Sequence, residues 1–88
     1  MSRQIWKYPF LIEDQKIIML REGAVVKHVG LQNNIPCLWA SIDPESKPQD
    51  FDLRVVGTGH QYSDSLDDFF VGTFLQEPFV WHVFLRPL

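Results

Sequence analysis

Cysteine, clustered basic residues and long apolar runs are all scarce in this chain of 88 residues, and each scarcity excludes a class of protein. Cys37 stands alone, so no internal disulfide can form, which excludes a secreted scaffold held together by disulfides. No apolar run approaches the roughly 20 residues that a membrane-spanning helix needs. Near the start, Lys7 interrupts the apolar residues and Pro9 follows, so we expect no signal peptide. These features predict a cytoplasmic protein that does not bind membranes.

Positive charge is sparse and scattered. The chain has eight lysines and arginines, no two of them adjacent, and a formal net charge of −3. Proteins that bind DNA or RNA regardless of sequence neutralise phosphates with clustered Lys and Arg side chains. We therefore expect no generic nucleic-acid binding.

Large side chains are abundant instead, since 45 % of the residues are hydrophobic and 14 % are aromatic. A chain of this length buries only about 60–65 % of its unfolded surface, so some aromatic rings should remain on the surface. The length predicts a single domain over residues 1–88. The surplus of apolar surface predicts a homo-oligomer or a ligand interface.

Alternation of apolar and polar residues dominates the chain. Asn33-Asn34 separates two alternating runs and is a hairpin signal, because asparagine tolerates a positive φ angle. Pro36 near the start of the returning strand (residues 35–42) indicates an edge strand or a bulge. Residues 79–85 are apolar on both faces, which favours a central strand or one that packs against a partner. Residues 63–70 form the one plausible helical turn, with Ser63 as its cap.

Turn signals recur about every ten residues between these short strands. The pattern predicts an all-β fold, a single small antiparallel β-sandwich or barrel of six to seven short strands with at most one short helical turn.

No metal or catalytic site is evident. The histidines and the cysteine fit no zinc spacing, and we expect His28 and His82 to be strand residues, each satisfied by one hydrogen bond. A small hydrolase could use Cys37 or an acidic cluster (Asp64, Asp67 and Asp68, or Asp50 and Asp52), but no nucleophile–base pair can be identified. We therefore expect no cofactor and no enzyme activity.

The sequence Gly57-Thr58-Gly59-His60 is the best candidate for a binding site. Glycines let backbone N–H groups turn toward an anion, and the threonine and histidine add donors. A glycine-kinked strand end is the alternative interpretation. If a ligand binds, Arg54 is the nearest cation in the sequence, and an aromatic ring could stack on it. The predicted ligand-binding residues are Arg54, Gly57, Thr58, Gly59, His60, Tyr62 and Trp39.

Five short motifs occur in order along the chain: Ile5-Trp6-Lys7-Tyr8-Pro9, Leu38-Trp39-Ala40, Gly57-Thr58-Gly59-His60, Val71-Gly72-Thr73-Phe74 and His82-Val83-Phe84. With these motifs the chain resembles a family of small proteins of unknown function that occur largely in bacteriophages and prophages. The C-terminal residues 85–88 depart from the family pattern, in which an acidic residue commonly follows the phenylalanine.

The resemblance implies a phage protein that acts in the host cytoplasm by stoichiometric binding. The first hypothesis is a non-catalytic protein that antagonises a host defence factor and, in its sharper form, sequesters an anionic, nucleotide-like small molecule. The alternative is a protein-interaction module that uses an edge strand and exposed aromatic residues to bind a host or phage protein without a small ligand. In that case Trp6 or the acidic residues 64–68 would be needed for binding.

Overall fold

The computed structural model describes residues 2–88, which form seven β-strands and one 3₁₀ turn. The strands are β1 (Gln4–Pro9), β2 (Lys16–Arg21), β3 (Val25–Gln32), β4 (Ile35–Ile42), β5 (Pro48–Gly57), β6 (Phe70–Gln76) and β7 (Phe79–Pro87). The 3₁₀ turn spans Asp64–Phe69, between β5 and β6. Within these residues no helix is long and apolar enough to cross a membrane.

Two antiparallel sheets face each other, and the predicted all-β sandwich is confirmed. One sheet has three strands in the order β1-β4-β3, and the other has four in the order β2-β5-β7-β6. Within residues 2–88 the strands do not close into a barrel. The alternating apolar residues of both sheets meet between them, as sandwich packing requires. The buried core consists of Phe10, Leu20, Val29, Leu38, Ala40, Ile42, Phe51, Leu53, Val55, Phe74, Val83 and Leu85.

The hairpin between β3 and β4 forms where it was predicted. Asn33 and Asn34 have φ angles of 52° and 62°, which is the left-handed region that a two-residue hairpin turn requires. Pro36 predicted an edge strand or a bulge, and neither is found at that position. Strand β4 pairs with both β1 and β3, and the register shift between β3 and β4 lies at Val26 and His28. Pro36 is tolerated because β1 ends opposite Cys37, so no neighbouring strand requires an N–H group from Pro36 on that side.

The two sheets approach closely where β3 packs against β6. A Cβ atom placed on Gly72 would lie 2.6 Å from Cγ2 of Val29, so only glycine fits at this position. The prediction that the last strand is central is confirmed, since β7 pairs with β5 on one side and β6 on the other.

The predicted helical turn is also confirmed. The Ser63 hydroxyl accepts a hydrogen bond from the Ser65 N–H group at 3.4 Å and caps the turn. Leu66 is buried, and the turn packs against β7. The turn therefore covers part of the outer face of the four-stranded sheet, the face that points away from the core.

Candidate functional site

Along β5 and β7, every second residue belongs to the core or packs against it. Most of the residues between them are polar or aromatic, and their side chains lie on the outer face of the four-stranded sheet. Asp52 lies opposite Arg86 in the β5–β7 register, Arg54 lies opposite Phe84, and Val56 lies opposite His82. Because directly opposed residues of antiparallel strands point to the same face, these side chains form one surface. The segment from Thr58 to the 3₁₀ turn folds over this surface.

A buried carboxylate organises the surface. Asp52 is 1 % exposed, and its two oxygens accept hydrogen bonds from Arg54 Nε at 3.0 and 3.2 Å. Arg86 Nη2 donates to the same carboxylate at 2.9 Å. Burial by itself raises the pKa of Asp52, but the hydrogen bonds and positive charge of Arg54, with the hydrogen bond from Arg86, lower it below its ordinary value. Asp52 is therefore held as a carboxylate.

Two guanidinium groups share this one carboxylate, so the cluster carries one net positive charge. Arg54 uses Nε for Asp52, and its two Nη groups make no hydrogen bond within residues 2–88. Arg54 also lines a cavity of about 390 Å³ between β5 and the covering segment. The residues that line the cavity also include His60, Tyr62 and Asp14. The unused donors of Arg54 can bind an anion in this cavity.

His82 is held between two threonines. Its Nε2 lies 2.8 Å from Thr58 Oγ1, and its Nδ1 lies 2.9 Å from Thr73 Oγ1. The expectation of a single hydrogen bond at His82 is therefore wrong, because both ring nitrogens are paired. The contact with Thr58 fixes the glycine-containing loop to β7. The Thr58 hydroxyl, the one hydroxyl group of the loop, is therefore already hydrogen-bonded within the protein.

The loop is a tight turn in which most backbone donors are used. Thr58 N–H donates to Val80 at 3.2 Å, and His60 N–H donates to Gly57 at 3.0 Å. Gly59 has a φ angle of 90°, and its N–H group makes no hydrogen bond within residues 2–88. The predicted anion cradle therefore keeps a free N–H group at Gly59, and Arg54 supplies further donors at the site.

Tyr62 belongs to an aromatic cluster. Its ring lies 5.0 Å from the Phe84 ring, and Phe70 lies 5.6 Å from the same phenylalanine. The Tyr62 hydroxyl donates to Asp67 at 2.6 Å, and this hydrogen bond raises the pKa of Tyr62. The tyrosine is 47 % exposed, so part of its ring is open to a ligand.

Trp39 lies elsewhere. It belongs to β4 in the three-stranded sheet, and its ring packs against that of His28 with centroids 5.6 Å apart and a tilt of 40° between the planes. Its neighbours Leu38 and Ala40 point into the core, so Trp39 points outward on the opposite side of the sandwich from Arg54. Trp39 is therefore not brought to the candidate site, although the sequence analysis included it.

The other predicted residues do come together. Gly57, Thr58, Gly59, His60 and Tyr62 line a cavity of about 270 Å³ on the outer face, with His82 and Phe84. His60 and Tyr62 also line the Arg54 cavity. Within residues 2–88 no three His, Cys, Asp or Glu side chains are grouped as a metal site would require.

Sequence reasoning missed three members of the site: Asp52, His82 and Arg86. The alternation of Asp52 and Arg54 along β5 already placed those two side chains on one face. The pairing of Asp52 with Arg86 depends on the register between two strands that are 34 residues apart, which the sequence does not supply. The same holds for the contact between Thr58 and His82.

A family model described as a domain of unknown function (DUF7352) matches residues 1–88, the full length of the chain. The chain belongs to this family. No curated protein and no solved structure gives a significant match. The match to DUF7352 assigns no activity.

Proposed function

We propose that this DUF7352 protein is a non-catalytic binding protein whose ligand is an anionic, nucleotide-like small molecule. The observation that carries the proposal is Arg54 itself, which lines a cavity of about 390 Å³ and has two Nη groups that make no hydrogen bond within residues 2–88. Cavities of this size hold small ligands, and guanidinium groups recognise phosphate and carboxylate groups with paired hydrogen bonds.

The rigidity of Arg54 supports binding. Its Nε is tied to Asp52, so the guanidinium is oriented before a ligand arrives and less side-chain entropy is lost on binding. Arg54 and Arg86 together carry two positive charges against the one negative charge of Asp52. One positive charge therefore remains to attract an anion. The exposed part of the Tyr62 ring offers a flat surface on which a base could stack.

The biological part of the proposal is that binding sequesters the ligand and thereby antagonises a host defence factor. It is based on the motifs that resemble those of small phage proteins, and it implies action in the host cytoplasm. Exposed apolar side chains on edge strands favour a homo-oligomeric assembly as part of the same proposal.

Isothermal titration calorimetry with AMP, ADP and a cyclic dinucleotide tests the ligand class. Arg54→Gln should weaken binding about tenfold or more, because it removes charged hydrogen bonds. Lys27→Gln is the matched control, since it removes one positive charge from an exposed position on the other sheet and should leave affinity unchanged. If no nucleotide binds, or if both variants bind like the wild type, the proposal is wrong.

A second test addresses the loop. The double variant Thr58→Ala/His60→Ala should also weaken nucleotide binding, because it removes a loop anchor and an imidazole that lines the cavity. Unchanged affinity in this variant would show that the loop is only a turn.

A protein-interaction module remains the second candidate, and one observation favours it. Ile17 and Met19 are 48 % and 62 % exposed on β2, which is an edge strand of the four-stranded sheet. An edge strand with apolar side chains can pair with a strand of another protein. Ile17→Lys/Met19→Lys should abolish such binding in a pull-down from host lysate while Arg54→Gln leaves it intact.

A further inference from the structure

The outer face of the three-stranded sheet is open, whereas the 3₁₀ turn packs against β7 of the other sheet. Ile5 on β1 and Val25 on β3 both lie opposite Ser41 on the central strand. Ser41 lies between two core residues of β4, so all three side chains point away from the core. Ile5 and Val25 are 61 % and 52 % exposed. Exposed apolar side chains on one sheet face indicate a contact surface.

Positive charge predominates on this face. None of the 11 acidic residues of the chain lies in β1, β3 or β4. Lys7 points outward with Ile5, and Arg3 donates to the Ser41 hydroxyl at 2.8 Å. Lys27 is exposed at the bulge in β3, and within residues 2–88 none of these three cations makes a salt bridge. We call this surface the basic face, and it consists of Arg3, Ile5, Lys7, Val25, Lys27 and Trp39.

Negative charge is concentrated on the other side of the molecule. The 3₁₀ turn contains three aspartates and no basic residue. Asp64 and Asp68 are exposed, and neither makes a salt bridge in the part of the chain that the structure describes. Phe70 follows the turn and is 50 % exposed. The turn therefore presents unpaired carboxylates beside an aromatic ring, which complements the unpaired cations and apolar side chains of the basic face.

We propose that the basic face binds the 3₁₀ turn of a second copy of this chain. The two surfaces lie on opposite sides of the sandwich, so one copy cannot pair its own. Because the two surfaces differ, the contact is heterologous, and each copy binds one neighbour on each side to form a ring or an open chain. The proposal specifies the contact within the homo-oligomer proposed above and does not depend on the nucleotide ligand.

Electrostatic attraction selects the partner, and apolar contact adds to it. Exposed ion pairs are individually weak and are screened by salt. The exposed Phe70 ring packs against the apolar residues of the basic face, which removes apolar surface of both copies from water. We therefore expect an assembly that forms at high protein concentration and weakens as salt is added.

Charge reversal on each surface tests the contact. Sedimentation velocity at low salt, over micromolar to millimolar protein concentrations, measures the assembly. Lys7→Glu/Lys27→Glu and Asp64→Lys/Asp68→Lys should each remain monomeric where the wild type assembles, because each variant carries the same sign of charge on both surfaces. Lys16→Glu/Lys47→Glu is the matched control, since it reverses two exposed lysines outside the basic face and should assemble like the wild type.

A mixture of the two reversed variants separates this contact from any other and shows that both variants are folded. One variant is acidic on both surfaces and the other is basic on both. An equimolar mixture should therefore assemble, with equal numbers of the two variants in the assembly, although neither associates by itself. Native mass spectrometry measures this composition from the difference in mass between the variants.

Three results would overturn the proposal. The first is a wild type that stays monomeric at millimolar concentration and low salt. The second is an assembly that both reversed variants retain, which would place the contact on another surface. The third is a monomer that binds single-stranded oligothymidylate through Lys7 and Lys27, which would assign the basic face to nucleic acid. Arg54→Gln leaves both surfaces intact and should assemble like the wild type, so this proposal and nucleotide binding fail separately.

Discussion

Asp52 determines how the outer face of the four-stranded sheet is arranged. A buried carboxylate is unfavourable unless it is paired, and here two arginines from two strands supply the hydrogen bonds. The pairing fixes the direction of Arg54, on which the proposed ligand site depends. The stability of the fold and the geometry of the site are thus coupled through one side chain.

This coupling gives a prediction for the dependence of stability on pH. The folded-state pKa of Asp52 lies below its unfolded value, so the unfolded chain binds more protons as the pH falls below about 4. The contribution of Asp52 to the free energy of unfolding is therefore fully present above the unfolded pKa and is lost as the pH falls through the folded pKa. Urea unfolding at a series of pH values from about 2 to about 7 measures this loss.

Asp52→Asn tests the same residue directly. It should lower the free energy of unfolding at pH 7 by about 2 kcal/mol and flatten the acid dependence, because the two arginines lose a charged partner. Asp50→Asn is the matched control, an exposed aspartate on the same strand that should change stability by less than about 0.5 kcal/mol. Equal pH profiles for the wild type and Asp52→Asn would contradict this role.

Residue types alone indicated part of the site. Arg54, His60 and Tyr62 were predicted from their places near a glycine-containing loop, and all three line one cavity. Trp39 was included because it is aromatic, but its strand belongs to the other sheet. Closeness in the sequence predicted which residues of β5 and the following loop lie together in space. It could not predict which residues of the other sheet lie near them.

At the scale of elements, alternation predicted the strands and the capped turn well. The expectation for β4 failed because proline is excluded from a central strand only where a neighbouring strand needs a hydrogen bond from its N–H group. Pro36 lies opposite Phe10, just past the end of β1, and its carbonyl accepts a hydrogen bond from the Phe10 N–H group at 2.9 Å. The strand is therefore central at this position too, and only the N–H donor that proline lacks is missing.

The close contact between β3 and β6 predicts that stability is sensitive to the size of the residue at position 72. Gly72→Ala should lower the free energy of unfolding by about 1–3 kcal/mol, because its methyl group would overlap the buried Val29 side chain. Gly30→Ala is the control, since its methyl group would meet only the exposed His28 ring, which can move aside. Chemical denaturation of both variants measures the difference, and equal losses would contradict tight packing at Gly72.

The 3₁₀ turn is expected to hold the cover of the site in place. Leu66→Ala should cost about 2 kcal/mol or more, because it removes buried apolar volume between the turn and β7. The same variant should weaken nucleotide binding, since Tyr62 and His60 lie in the segment that the turn anchors. Calorimetric titration of the folded variant checks the second effect, and wild-type affinity would show that the cover is dispensable.

At the scale of the whole molecule, the buried Cys37 reports on opening of the fold. Its thiol is 2 % exposed in the central strand of the three-stranded sheet. A thiol reagent such as DTNB should therefore react with the native protein only through unfolding, at a rate that rises with urea concentration. Rapid reaction in the absence of urea would mean that β4 is not covered as described.

The whole-molecule arrangement also explains why function was harder to predict than fold. Alternating polarity determines which side of each strand is buried, and that is enough for a sandwich. The site depends on contacts such as Arg86 with Asp52 and His82 with Thr58, which exist only once the strands have paired in register.

Native mass spectrometry of the protein purified from a bacterial host, beside Arg54→Gln prepared in the same way, tests the central claim most directly. We expect the wild type to carry a stoichiometric anionic small molecule that denaturation releases and whose absorbance shows a nucleobase. We expect Arg54→Gln to carry less of it or none. A wild-type protein that is free of ligand and does not take up added nucleotides would contradict the account.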